Sequence, residues 1–311
     1  MIQRRTLLAS LAAGAVGTAR QAKAQAWKAT YKELVYAHVP SENATSMIDH
    51  WQPFIGYLSK ELGVKVTLRI ANDYAAVIEG QRAGNIHIAN YGPAAFARAR
   101  LTGVPVDAFV VDIYKGGKTG YYSVFYVRAD SPYKTIADLK GKNIGIVDPN
   151  SMSGYTMPMF ALNKAGIPTA DKFFGKVLTT GSHENAIIAL AQGTVDCAVN
   201  WWDADDDSNL INMVKKGMVK DASGKVLKTE DFRIVLKSDL IINAPTAYLS
   251  ALPADLKMAI KQAFLDAPKK DPAAFAKISD GKDLPWQPID TAAYDDTIKL
   301  IQFVDALRKK G

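Results

Sequence analysis

Asp148-Pro149-Asn150-Ser151-Met152-Ser153-Gly154-Tyr155 lies between a short apolar run, residues 144–147, and an amphipathic run carrying Met157, Phe160, Ala161, Leu162 and Ala165. That order reads as strand, polar turn, helix. The turn holds two hydroxyls, a glycine and backbone N–H groups at the positive end of a helix dipole. These are the ingredients of an anion cradle that contains no lysine or arginine. An ordinary capped turn uses the same residue types, because Asn and Ser are common N-caps.

Outward from this unit the chain alternates strand-like and helix-like segments. Strands are expected at residues 34–39, 64–70, 86–90, 123–127, 143–147, 173–178, 195–200 and 232–236. Met47, Ile48, Trp51, Phe54, Ile55, Leu58 and Leu62 recur at helical spacing, with Gly63 as a stop and Pro53 as a start or kink. Asp73 caps a helix through Arg82, and Gly92-Pro93 opens the next. Further helices are expected at about 154–165, 184–192 and 205–216, and from Pro253 onward the chain reads as helical. Repeated strand–helix–strand order implies largely parallel sheets covered by helices on both faces. The fold class is therefore α/β.

The N-terminus reads as an address. Arg4 and Arg5 precede an apolar stretch, residues 7–16, and small residues ending in Ala24-Gln25-Ala26. This is the layout of a secretory signal peptide over residues 1–26, cleaved after Ala26 or, alternatively, Ala24. Paired arginines fit either general or twin-arginine export. Four basic residues of this segment (Arg4, Arg5, Arg20 and Lys23) account for four of the seven net positive charges, leaving +3 on a mature chain of 285 residues. No aromatic-interleaved basic stripe is present, so nucleic acid is not an expected partner. That length suits two lobes, each near the usual ~100–150 residues. The single cysteine, Cys197, sits in an apolar run and reads as a small buried hydrophobe. A soluble, exported protein is expected.

In open α/β sheets ligands bind beyond the carboxyl ends of strands. Those positions hold Tyr74, Tyr91, Ser151, Ser153, Ser182, His183 and Asp203, with Tyr121 and Tyr122 at a crossing between lobes. Packing tyrosines, a capping histidine and a helix-complementing aspartate are the plainer alternatives. Together these groups offer phenol, hydroxyl and imidazole donors with one carboxylate. The set suits a tetrahedral oxyanion that keeps a proton, since the carboxylate accepts from P–OH or from an ammonium. Trp201 and Trp202 could wall a pocket or fill a core. Motifs for serine hydrolysis, zinc chemistry and nucleotide binding are lacking, and neither cofactor nor metal is expected.

Several blocks in order resemble the phosphonate-binding component of bacterial ABC importers, within the phosphate/phosphite/phosphonate receptor family. They are Asp73-Tyr74-Ala75, Asn90-Tyr91-Gly92, Gly120-Tyr121-Tyr122-Ser123-Val124, residues 148–154, Gly181-Ser182-His183-Glu184-Asn185-Ala186 and residues 195–203. The resemblance implies a type II periplasmic binding fold, with lobe 1 from residues 27–120 plus 243–311 and lobe 2 from residues 121–242. It implies that Tyr74, Tyr121, Ser151 and His183 hold oxyanion oxygens, and that Asp203 meets an amino group. Met152 stands where a threonine is usual, and Ala244 where a second acid is expected. The lost carboxylate favours a small ligand such as phosphite, methylphosphonate or phosphate over an aminoalkylphosphonate. The implied partner is a membrane permease. The rivals are an enzyme on the same scaffold, a receptor that presents its ligand to a membrane sensor, and a receptor for a sulfonate or other oxyanion.

Overall fold

The computed structural model describes residues 26–310, so the expected signal peptide lies, apart from Ala26, outside the described residues. The first part of the chain forms β1 (Glu33–His38), α1 (Ala44–Leu62), β2 (Lys65–Ile70), α2 (Tyr74–Arg82), β3 (Ile88–Asn90), α3 (Pro93–Leu101) and β4 (Val106–Ile113). A second set follows: β5 (Gly120–Arg128), β6 (Asn143–Ile146), α4 (Met157–Lys164), β7 (Lys176–Thr179) and α5 (His183–Ala191). It continues with β8 (Cys197–Ala204), β9 (Asp207–Ser208), α6 (Asn209–Lys215), β10 (Phe232–Lys237) and β11 (Ile241–Ile242). The chain then adds β12 (Pro245–Leu249), α7 (Ala254–Lys270), α8 (Pro272–Ile278), β13 (Leu284–Pro288) and α9 (Asp295–Lys310).

Two sheets result. The first has the order β13-β4-β12-β3-β1-β2, and the second the order β10-β5-β8-β6-β7 with β11 on β5 and β9 on β8. Strands β1, β2 and β3 pair in parallel, as do β6, β7 and β8. The sheets are nevertheless mixed, which corrects the expectation of largely parallel pairing. Strand β12 runs antiparallel to β3 and β4, and β5 antiparallel to β8 and β10. Parallel neighbours need a covering crossover, usually a helix. The chain passes from β4 to β5, and back from β11 to β12, through short connections without one.

Strands β4, β12 and β13 fall where sequence periodicity showed none. The last carries Pro285 and Pro288 on a sheet edge, where a missing N–H is tolerated. Helix α1 is bounded by Asn43, whose side chain accepts from the Ser46 N–H, and by Gly63 in the left-handed region; Pro53 lies inside it. On its buried face, which carries Trp51, Phe54, Leu58 and Leu62, Phe54 meets Phe264 of α7 and Trp286 of β13. Cys197 is free and buried, and burial pushes its thiol well up. Helix α9 spans both halves. Arg98 and Arg100 on α3 pair with its Asp305 and Asp295, while its Val304 joins the core of the second sheet.

Candidate ligand-binding cleft between the sheets

One cavity of about 470 Å³ is lined by Tyr74, Tyr91, Tyr121, Ser151, Met152, Ser153, His183 and Asp203 together. Each owes its place to local structure. Asp73 caps α2 by accepting the Ala76 N–H at 2.7 Å, which sets Tyr74 in the first turn. Tyr121 is the second residue of β5, just past the crossing from the first sheet. His183 opens α5, whose cap Ser182 accepts the Asn185 N–H at 3.1 Å.

The quoted turn is tighter at one end and wider at the other than a plain cap. Ser151 Oγ accepts the Gly154 N–H at 3.0 Å, and the Thr156 N–H reaches back to the Ser151 carbonyl at 3.1 Å. That five-residue step makes residues 152–156 a π-helical turn, so α4 starts at Met157. A Cβ on Gly154 would stand 2.3 Å from Val147 Cβ, so the turn closes only on glycine. Ser123 Oγ on β5 donates to the Ser153 carbonyl at 2.6 Å and pins the turn from the sheet side.

Around this turn the donors are buried and neutral. Ser151 Oγ is 3.5 Å from His183 Nε2, and His183 Nδ1 is buried with no partner among the described residues. Burial lowers the His183 pKa from 6.5 to about 4, so the imidazole is uncharged at neutral pH. Burial likewise pushes the phenols of Tyr74 and Tyr121 up, although Ser151 beside the first and Ser153 beside the second act the other way.

Three of the cavity residues are placed by contacts that the sequence did not show. Tyr91 touches the cavity, but its hydroxyl donates to Gln81 Oε1 at 2.7 Å on α2 and is not free for a ligand. Met152 is buried in an apolar cluster with Tyr121, Met157, Ile241 and Ile301. Asp203 does not precede a helix: β8 continues through Trp201 and Trp202, because these pair with Ser123 and Tyr122 on β5. It is 4% exposed, with Lys118 Nζ 3.4 Å from Oδ2 and no partner on Oδ1 among the described residues. Burial raises its pKa while Lys118 opposes the rise. The alternation of β8 also separates the tryptophans. Trp201 lines the cavity, while Trp202 and Tyr122 hold the Lys237 ammonium 3.7 and 3.8 Å from their ring centroids.

Sequence reasoning missed Asp112, Tyr114 and Asp283, which also line the cavity. Asp112 is the penultimate residue of β4, where its N–H donates to the Ala244 carbonyl at 3.1 Å and Oδ1 accepts from Trp286 Nε1 at 2.7 Å. Burial pushes its pKa to about 6. Asp283 is pushed to about 8, first by burial and then by Asp112, Asp207 and Asp203. The two halves also touch directly. Asn43 donates twice to Glu184 Oε2, from N and Nδ2 at 2.8 Å each, and the His183 N–H donates to the Ser41 carbonyl at 3.2 Å.

Residues 36–294 match the family described as ABC transporter, phosphonate, periplasmic substrate-binding protein. The chain belongs to this family. It is 30% identical over 240 residues to a phosphate-import protein, PhnD, of Mycolicibacterium smegmatis, covering 74% of this chain and 70% of that one. It is 31% identical over 242 residues to the phosphonates-binding periplasmic protein of Escherichia coli, covering 76% and 66%. A binding-protein component of an ABC phosphonate transporter from Pseudomonas aeruginosa superposes with TM-score 0.75 at 23% identity, over 89% of this chain and 87% of that one. The fold is thus the two-lobed α/β fold of periplasmic binding proteins. As a member of the phosphonate-binding family this chain is a periplasmic substrate-binding component of an ABC importer and not an enzyme. No helix among the described residues is long and apolar enough to cross a membrane.

Proposed function

We propose that the cleft captures a small phosphorus oxyanion, a phosphonate, phosphite or phosphate, and delivers it to a membrane permease. The observation that carries this is the convergence of buried, uncharged donors from Tyr74, Tyr121, Ser151, Ser153 and His183 on one cavity. Neutral donors and helix N-termini hold an oxyanion without neutralising it. Asp203 supplies an acceptor for a proton on phosphorus-bound oxygen or for an ammonium. The names of the related proteins, which import phosphate or bind phosphonates, agree with this choice. The signal-like residues 1–26 would carry the chain out of the cytoplasm. Residues 27–120 with 243–311, and residues 121–242, would then close on the ligand as two lobes.

Calorimetry of the exported chain with phosphate, phosphite, methylphosphonate and ethanesulfonate tests the proposal. We expect at least one phosphorus oxyanion to bind about tenfold or more tighter than the sulfonate, which has no proton to give Asp203. Preference for the sulfonate, or no binding of any phosphorus oxyanion, would refute it.

A further inference from the structure

Residues 279–283 join the end of α8 to β13 on the edge of the first sheet. They form a tight loop. The Gly281 N–H donates to the Ala276 carbonyl at 2.7 Å, and the Asp283 N–H donates to Ser279 Oγ at 2.9 Å. Asp280, at φ 53°, is the one non-glycine residue in the left-handed region among the described residues, and Gly281 follows it there at φ 76°. Aspartate tolerates that region better than most residues. Ser279, Asp280, Lys282 and Asp283 line the cavity, while Asp280 and Gly281 are exposed. The loop therefore lies between the cavity and solvent.

The loop belongs to the first sheet but is tied to the second. Lys282 Nζ donates to Asp207 Oδ1 on β9 at 3.2 Å and to Asn212 Oδ1 on α6 at 2.8 Å. These bonds cross the cleft and hold the neighbouring Asp283 among other acids. Asp112 on β4, Asp203 on β8 and Asp207 on β9 all act on its carboxyl, Lys282 opposes them, and the Tyr114 phenol lies within the same field. Lys118, the other ammonium here, is taken up by Asp203 at 3.4 Å. Among the described residues no salt bridge reaches Asp283. We propose that residues 279–283 are a strap over the cavity, that Lys282 locks it on Asp207 and Asn212, and that locking takes up a proton on Asp283. This goes beyond the oxyanion reading and holds for any ligand that the cavity encloses. Freed into water, Asp283 would titrate in the ordinary carboxylate range near 4, whereas locked it is pushed up to about 8. Between those values locking binds a proton, so the closed strap gains as pH falls and loses as pH rises toward about 8.

The test is a carbon-13 NMR titration of the Asp283 carboxyl in the ligand-free protein, in wild type, Lys282→Met and Asn212→Ala. The wild type should titrate well above the ordinary carboxylate range. Loss of the Lys282 charge by itself would raise that midpoint, whereas release of the strap lowers it. We expect a fall of about one pH unit or more in both variants. Asn212→Ala keeps every charge, and carries the test if circular dichroism shows Lys282→Met unfolded. A wild-type midpoint in the ordinary range, or a midpoint that rises or stays put in the folded variants, overturns the strap. Stopped-flow release of methylphosphonate should be about tenfold faster in Lys282→Met, and should quicken with rising pH by up to about tenfold per unit more steeply in wild type than in Asp283→Asn. Equal rates, or parallel pH profiles, overturn it as well. Failure of phosphate, phosphite and methylphosphonate all to bind overturns the oxyanion reading and leaves the titration to decide the strap.

Discussion

Ser151 Oγ lies 3.5 Å from His183 Nε2, so the hydroxyl of one helix-opening turn meets the imidazole of another. Neither group is charged, and both are buried. A ligand oxyanion would receive hydrogen bonds here that water cannot replace. His183→Ala and Tyr121→Phe should each weaken binding of the best phosphorus oxyanion by about 1–3 kcal/mol, the usual range for a hydrogen bond to a charged group. Titration calorimetry of both variants checks this, and full affinity in the pair would remove these residues from the site.

Gly154 faces Val147 Cβ at the distance where a methyl group cannot fit. Gly154→Ala should force the π-helical turn off β6 and lower stability by about 1–3 kcal/mol, the typical cost of overpacking. Urea denaturation reads the loss directly. A variant as stable as wild type would show that the turn relaxes without strain.

Glu184 Oε2 receives both hydrogen bonds of Asn43 across the cleft. Glu184→Gln removes the charge but keeps an acceptor. A cost of about 1 kcal/mol in the closed state is expected, which is a roughly fivefold faster ligand release. Stopped-flow dissociation measures it, and an unchanged release rate would mean the contact does not hold the halves together.

Burial lowers both His38 and His183 from 6.5 to about 4. In the unfolded chain each imidazole takes up a proton near its ordinary pKa; in the folded protein each resists until about 4. Their contribution to stability is therefore complete above 6.5 and declines as pH falls toward about 4. Asp112 and Asp283, pushed up to about 6 and about 8, act in the opposite sense, since their folded-state cost fades as pH falls. The comparison must be differential: His183→Gln should lose less stability than wild type between neutral and mildly acidic pH. Denaturation midpoints across that range test it, and parallel curves would contradict a buried neutral His183.

The strand–turn–helix around Ser151 was legible because its signals are local: an apolar run, hydroxyls and a glycine that close approach to Val147 demands. Tyr74 and His183 were legible for the same reason, each following a capping residue. Tyr91 was not, because the direction of a phenol depends on where Gln81 lies. Asp203 was misplaced because pairing with β5 extends β8 beyond its apolar run. Asp112 escaped notice because β4 and β12 are brought together only after the chain has left the first sheet and returned to it.

On the proposed function the cradle, and no other part of the cavity, holds the phosphorus group. A crystal structure with bound 2-aminoethylphosphonate tests it most directly. We expect phosphonate oxygens within hydrogen-bond distance of Ser151, Ser153, Tyr74, Tyr121 and His183. A phosphonate seated instead beside Lys215, Lys216 or Lys282, which also line the cavity, would contradict it.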